Sequence, residues 1–174
     1  MLETVTICRA NREDLKDLRS VSKSTFTESF GEQNTPKDME KYLREKFSEE
    51  QLLSELDNPD SAFYLAMLDG DVVGYLKLNT GQAQTELMDD NGLEIERIYV
   101  LKKFIGKGIG KQLFKLTLDI ACQKKSHFIW LGVWEKNERA LTFYHKNGFV
   151  EFDKHIFVLG DDHQTDILMK LELN

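Results

Sequence analysis

The chain has 174 residues, of which 41% are hydrophobic and 30% charged, and its formal net charge at pH 7 is -7. This is the size and composition of one globular domain with a continuous core, so we expect a single domain over residues 1–174. The acidic balance argues against a general nucleic-acid binder, which usually carries a basic face, and favours cationic small molecules as ligands.

The chain start, the hydropathy and the potential metal ligands exclude further classes. Residues 1–4 lack the basic and apolar regions of a signal peptide, and the longest apolar run, residues 128–134, is too short to span a bilayer. We therefore expect a cytoplasmic protein without a membrane partner. Cys8 and Cys122 match no CxxC or zinc pattern, and the four histidines show no metal spacing, so no metal is assigned.

The first third of the chain predicts a strand and three helices. Residues 4–8 alternate in polarity, as a strand does, and Asn11 with Asp14 three residues later forms a capping box that starts the first helix. Pro36 is suited to the first position of a second helix, and Ser48 caps a third. The predicted inward-facing residues of the first two helices are Leu15, Leu18, Val21, Phe26, Met39, Tyr42 and Leu43.

A hairpin, a loop and a further strand follow. Residues 63–68 and 72–78 are strand-like and flank an Asp-Gly pair, which favours a tight hairpin turn. Residues 80–91 are polar, acidic and aperiodic, which predicts a loop. Residues 93–100 alternate and predict a strand.

The last part of the chain predicts alternating helices and strands. A loop rich in lysine and glycine leads into a helix that ends near Lys125, and the almost wholly apolar residues 128–133 predict a central strand. Asn137 caps the last helix and Gly148 ends it. Two closing strands are predicted over residues 149–158 and 166–173. Together these elements indicate a mixed sheet with helices on both faces.

The loop over residues 102–111 has the composition of a phosphate-binding site. It follows a strand and opens a helix, whose first N–H groups are unpaired and carry partial positive charge. Glycines let a phosphate approach this backbone closely. The loop contains three alternating glycines and four lysines: Gly106, Gly108, Gly110, Lys102, Lys103, Lys107 and Lys111.

Two common phosphate motifs do not fit this loop. A Walker loop requires a glycine where Ile105 stands and a serine or threonine where Gln112 stands. A dinucleotide fingerprint requires a third glycine where Lys111 stands, and it normally follows the first strand of its fold.

Three segments together resemble the GCN5-related N-acetyltransferase (GNAT) superfamily. They are residues 93–100, the loop Gly106-Lys107-Gly108-Ile109-Gly110, and the later Asn137-x-x-Ala140-x-x-Phe143-Tyr144-x-x-x-Gly148-Phe149. The resemblance covers essentially the whole chain and implies an α/β (α+β) GNAT fold, with a mixed, mostly antiparallel twisted sheet of about seven strands. Gly108 and Gly110 match the two small residues of the superfamily pattern [RQ]-x-x-G-x-[GA], whereas Ile105 stands where the pattern has arginine or glutamine. This difference affects a side-chain contact only, because the binding groups in this superfamily are mostly backbone N–H groups.

Within the superfamily the chain looks most like the PaiA-type spermidine/spermine acetyltransferases. The supporting stretches are residues 32–36, 93–99, 129–138 and 164–166. The resemblance implies an acetyl-CoA-dependent N-acetyltransferase acting on a primary amine of a polyamine or a similar small amine, by direct attack in a ternary complex. A homodimer is compatible with it. Two alternatives stay open: a protein or peptide N-acetyltransferase, and a non-catalytic acyl-CoA-binding module that regulates a partner.

The resemblance also implies a set of cofactor contacts. Ile98, Tyr99 and Val100 would offer backbone groups to the pantetheine arm, which can hydrogen-bond like an added strand. The pyrophosphate would be held by Gly106, Lys107, Gly108, Ile109, Gly110 and Lys111. Asn137 is expected to contact the cofactor or only to cap its helix. Lys146 is expected either to reach the cofactor phosphates or to be solvated.

Two residues are predicted to move protons. By its place after Asn137, Tyr144 is the candidate general acid for the departing thiolate, because a phenol pKa of about 10 and a thiol pKa of about 8.5 allow the transfer. Glu96 is the candidate base for the acceptor amine, with Glu94 two residues earlier. An ion pair of Glu96 with Arg97 or a lysine is the competing interpretation, and the amine is also able to lose its proton to bulk water.

The acceptor side of the site is predicted from aromatic and acidic residues. In this superfamily the first two helices wall one side of the cleft, so Phe30, Glu32 and Trp134 are expected to bind the amine substrate. The alternatives are that Trp134 is a core or rim aromatic residue and that Glu32 is a solvated loop residue. The acidic clusters would steer a polycation toward the site, or would simply be solvated loops. Their members are Glu86, Asp89, Asp90, Asp161 and Asp162.

Overall fold

The fold, seen in a computed structural model that describes residues 4–86 and 89–174, is built on one seven-stranded sheet in the order β1-β2-β3-β4-β5-β7-β6. The strands are β1 Val5–Arg9, β2 Ser61–Leu68, β3 Asp71–Asn79, β4 Gly92–Val100, β5 Phe128–Trp134, β6 Val150–Leu159 and β7 Asp162–Glu172. The helices are α1 Leu15–Phe30, α2 Pro36–Lys46, α3 Glu49–Asp57, α4 Ile109–Gln123 and α5 Glu138–Lys146. All neighbouring strands are antiparallel except β4 and β5, so the predicted mixed, mostly antiparallel sheet is confirmed.

The first three helices begin where their sequences predict. Asn11 and Asp14 form the reciprocal capping box, which leads through one 3₁₀ turn into α1. Thr35 accepts a hydrogen bond at the start of α2, with Pro36 in the first position, and Ser48 does the same for α3. Each such cap contributes about 1 kcal/mol, so these helices start at fixed residues.

The sheet is covered on both faces. Helix α4 buries Ile109 and Leu113 and helix α5 buries Tyr144 against one face. Helices α1, α2 and α3 bury Leu18, Phe26, Met39, Tyr42 and Leu52 against the other. Leu15 and Leu43, two of the residues predicted to face inward, are only partly buried. Among the described residues, none of the helices combines the length and apolar character needed to cross a bilayer.

The last strand begins earlier than predicted. Strand β7 starts at Asp162 rather than at residue 166, because polar residues continue its ladder with β6 through a turn at Gly160. Gln164 pairs with Phe157 and is itself buried. Backbone pairing needs no apolar side chain, so the hydrophobicity pattern did not predict residues 162–165 as part of the strand.

Two irregularities around β4 shape the site. The register places Lys77 opposite Arg97 but Leu78 opposite Ile95, so Glu96 is the extra residue of a β-bulge. The parallel ladder to β5 ends at Ile95, although both strands continue, and this leaves the second half of β4 open along one edge. The predicted loop that precedes β4 contains residues 87 and 88, which lie outside the described residues.

Candidate active site

Two cavities meet beside the open half of β4. One, of about 490 Å³, lies on the α4 and α5 face, and the other, of about 590 Å³, lies on the α1 to α3 face. Tyr99 lines both cavities. A ligand in either cavity therefore reaches the same point of the sheet.

The wall of the smaller cavity is the start of α4. Gly106 and Gly108 have φ angles of +91° and +82°, which glycine adopts at little cost, and Gly108 caps the helix without a side-chain hydrogen bond. A Cβ atom added at Gly106, Gly108 or Gly110 would meet nothing within 4 Å. The first amides of α4 are thus accessible to an anion, and the cradle fits a diphosphate group.

The second half of β4 lines the same cavity. Ile98 and Val100 pair with β3 on one side, at Leu76 and Gly74, while the ladder on the β5 side has already ended. Backbone groups on this free edge suit an extended, amide-containing chain, which can pair with them as a further strand would.

Helix α5 closes the smaller cavity. Asn137 lines it and accepts a hydrogen bond from the backbone N of Ala140 at 3.2 Å, so the predicted capping role is confirmed. Tyr144 lines it as well, with 7% of the residue exposed, and its ring packs against Phe143 and Phe149. Burial raises the pKa of Tyr144 above its ordinary value, so the phenol keeps its proton at neutral pH.

The predicted cations around this cavity are distributed unevenly. Lys111 lines it, whereas Lys107 lies over the ring of Phe104 and Lys146 is exposed at the far end of α5. Arg139, which the sequence analysis did not single out, lines the cavity from the first turn of α5. Arg139 could have been predicted from the sequence, because it is a cation two residues after the helix-capping Asn137.

The larger cavity has a network of buried charges in its wall. Glu96 accepts a hydrogen bond from Lys77 Nζ at 2.9 Å and lies 3.1 Å from Arg97 Nη2, and Lys77 also contacts Glu55. Burial alone would raise the pKa of Glu96, but the charges of Arg97 and Lys77 lower it to about 2. The ion pair that the sequence offered as the alternative for Glu96 is therefore present.

Glu94 has a different environment in the same cavity. It is 2% exposed and accepts hydrogen bonds from Asn79 Nδ2 at 3.0 Å and from the backbone N of Thr85 at 2.8 Å. Burial raises the pKa of Glu94, although the bonds from Asn79 and Thr85 oppose this shift. Of the two carboxylates, Glu94 is the stronger base, and its oxygens are already occupied by donors.

The predicted acceptor residues separate into two groups. Phe30 and Trp134 line the larger cavity, with ring centroids 5.4 Å apart. Glu32 is exposed and lines neither cavity. Sequence reasoning missed His155 and Asp166, which lie side by side in this wall because β6 and β7 pair there.

Comparison with known proteins gives a consistent result. The sequence matches the model of the acetyltransferase (GNAT) family over residues 17–149. It is 46% identical to an uncharacterized N-acetyltransferase of Lactobacillus delbrueckii subsp. lactis over 97% of this chain and 98% of that protein. It is 28% identical to spermidine N(1)-acetyltransferase of Thermoplasma acidophilum over 84% of this chain and 88% of that protein. The crystal structure of the PaiA N-acetyltransferase of Thermoplasma acidophilum in complex with coenzyme A aligns with a TM-score of 0.80 and 26% identity, over 98% of this chain and 99% of the other.

Proposed function

Since this chain belongs to the acetyltransferase (GNAT) family, we propose that it transfers the acetyl group of acetyl-CoA to a primary amine of a polyamine or a similar small amine, by direct attack in a ternary complex. The observation that carries this proposal is the meeting of two cavities at Tyr99, one suited to a diphosphate and the other lined by carboxylates and aromatic rings. The related spermidine N(1)-acetyltransferase of Thermoplasma acidophilum supports the polyamine part.

The residues of the smaller cavity are proposed to hold the cofactor, which supplies an acetyl group activated as a thioester. Amides at the start of α4, between Gly106 and Lys111, would bind its diphosphate. Backbone groups of Ile98, Tyr99 and Val100 would align its pantetheine arm along β4. Asn137 and Arg139 would close this site from α5.

Two proton transfers follow from the side chains around Tyr99. Tyr144 would donate its phenol proton to the departing sulfur. Burial raises the pKa of Tyr144, so the phenol is protonated at neutral pH, and the same burial makes a thiolate beside it more basic, which favours the transfer. Glu96 would attract the ammonium group of the acceptor and pass its proton to water. A carboxylate with a pKa of about 2 is a weak base, so Glu96 would orient the ammonium group and a water molecule would take the proton.

The test is a turnover assay with acetyl-CoA, a panel of amines and peptides, and detection of the released thiol. We expect turnover of spermidine, spermine or diamines. Tyr144→Phe should bind CoA with unchanged affinity and turn over about 10²- to 10⁴-fold more slowly, because general acid catalysis contributes that much. Tyr64→Phe is the matched control, since Tyr64 lines neither cavity.

Three outcomes would contradict parts of this proposal. Absence of thiol release across the amine panel would reject a small-amine acetyltransferase. Turnover of peptides alone would favour the protein N-acetyltransferase. Unchanged turnover in Tyr144→Phe would remove Tyr144 from the reaction.

A further inference from the structure

A gap in the wall of the larger cavity lies between two indole rings. Trp130, Gly132 and Trp134 alternate along β5, so they share one face of the sheet, and all three line this cavity. Gly132 is exposed, whereas every other residue of β5 is buried. The missing side chain leaves an open floor between the two rings.

A carboxylate borders this floor. A Cβ atom added at Gly132 would lie 3.3 Å from Cδ2 of Leu168, whose flexible side chain would have to shift slightly, and 3.5 Å from Oδ2 of Asp166. Asp166 is opposite Trp134 on one side and His155 on the other, so the three side chains form a row across β5, β7 and β6. The Asp166 side chain is only 15% exposed.

The two carboxylates at this place share one basic group among the described residues. His155 Nε2 lies 3.3 Å from Asp166 Oδ2, and His155 Nδ1 lies 2.5 Å from Glu86 Oε1. One imidazole ring therefore contacts both carboxylates. Lys77 and Arg97, the buried cations of the cavity, are paired with Glu55 and Glu96 instead.

From this arrangement we infer that Gly132, Trp134 and Asp166 form a subsite for a second ammonium group of the acceptor, remote from the nitrogen that is acetylated. The inference rests on the proposed function and extends it to the kind of amine. An ammonium over Gly132 would contact the Asp166 carboxylate and the face of an indole, the two groups that bind organic cations best. It would share Asp166 with His155 or displace the imidazole.

The distance between the strands defines the length of that amine. The reacting nitrogen would lie beside β4, and Asp166 lies on β7, with β5 between them. Two paired strand spacings amount to about 10 Å, which is a lower limit here because the ladder between β4 and β5 ends at Ile95. An extended chain covers about 3.5 Å for every three bonds, so the two nitrogens should be at least eight or nine bonds apart. This matches an extended diamine or a polyamine and excludes a compact diamine.

Binding to this subsite is measurable without turnover. The two tryptophans of the chain, Trp130 and Trp134, both line the cavity, so intrinsic fluorescence reports its occupancy directly. We expect 1,8-diaminooctane, with nine bonds between its nitrogens, to bind at least about ten-fold more tightly than octylamine or 1,3-diaminopropane.

The variants test the subsite by charge and by space. Asp166→Asn should reduce the preference for 1,8-diaminooctane over octylamine about ten-fold. Gly132→Ala should reduce it without a change of charge, because its methyl group fills the floor 3.5 Å from Asp166. Asp119→Asn, the same change at an exposed position on α4 that lines neither cavity, should keep the preference. Circular dichroism establishes that each variant is folded.

The outcomes separate this inference from the proposed function. If wild-type protein binds both eight-carbon amines equally, or if both site variants keep the preference of the wild type, the subsite is wrong even when amines are acetylated. If the diamine preference and its loss are observed but no amine is acetylated, the subsite stands and the proposed reaction fails.

Discussion

At the scale of single residues, Glu96 shows how a buried carboxylate stays ionised. Burial alone disfavours its charged form, but Lys77 and Arg97 contact it and Asn79 donates a further hydrogen bond at 2.9 Å. The opposite charges outweigh burial, and the pKa falls to about 2. The same contacts make Glu96 part of the stability of the fold.

Removal of the Glu96 charge is expected to destabilise the protein in a pH-dependent manner. At pH 7, Glu96→Gln should lower the free energy of unfolding by about 3 kcal/mol, because it leaves the two buried cations Lys77 and Arg97 with a single carboxylate partner, Glu55. The pKa of Glu96 is lower in the folded chain than the ordinary value of 4.5, so the wild type loses this stabilisation as pH falls from 4.5 toward 2. Urea unfolding at pH 7 and pH 3 should therefore show the two proteins converging.

An exposed glutamate provides the control for this measurement. Glu45 lies on α2 and is exposed, so Glu45→Gln should change the free energy of unfolding by less than about 0.5 kcal/mol at either pH. A difference between Glu96→Gln and wild type that stays constant from pH 7 to pH 3 would mean that the carboxylate is not held by these cations.

At the scale of elements, the start of α4 is the part that we propose binds the diphosphate. It begins at a glycine in the left-handed conformation, and no side chain caps its first amides. Serine, threonine, aspartate and asparagine are the residues that commonly cap a helix start. Without such a cap, these amides are able to donate hydrogen bonds to a ligand.

A carboxylate at Gly110 is expected to impair cofactor binding without harming the fold. Gly110 has a helical backbone and open space around it, glutamate is the better helix former, and a negative charge is favourable near a helix N-terminus, so Gly110→Glu should keep or raise the melting temperature. The same carboxylate repels a diphosphate at the amides, and calorimetry should show CoA affinity lowered at least about ten-fold.

Gly31→Glu is the matched control for Gly110→Glu. Gly31 lines neither cavity, and its added Cβ atom would make an ordinary 3.6 Å contact with Thr27. CoA affinity should be unchanged in this variant. Equal CoA affinity in Gly110→Glu and wild type would move the anion site away from the start of α4.

At the scale of the whole molecule, the net charge of -7 would act on the proposed polyamine acceptor before it binds. Fields of this kind attract polycations over distances that salt controls, since the Debye length shrinks from about 30 Å at 0.01 M to about 8 Å at 0.15 M. In the proposed function, the net charge attracts the acceptor at long range and the carboxylates of the larger cavity bind it at contact.

Ionic strength is expected to separate amines by their charge. Between 0.01 M and 0.15 M salt, kcat/KM for spermine should fall several-fold, because its association is electrostatically assisted. The fall should be shallower for octylamine, which carries one charge. Steady-state assays at a series of salt concentrations measure both slopes, and parallel slopes would contradict steering by the protein charge.

The amino-acid sequence by itself determined the features that depend on near neighbours in the chain. The capping residues Asn11, Ser48 and Asn137 act within three residues of themselves, so their roles were readable directly. The glycine loop before α4 was readable for the same reason, since positive φ and free amides are local properties. The mixed sheet followed from the order of such elements.

Only the tertiary structure decided which side chains meet. The bulge at Glu96 exists because β4 pairs with β3 out of step, and it brings Glu96 and Arg97 into one cavity although strict alternation would place them on opposite faces. His155 and Asp166 became neighbours through the register of β6 and β7. Register is fixed by packing between segments distant in the chain, and a one-residue change moves each side chain to the other face of the sheet. No pattern within a single segment carries that information.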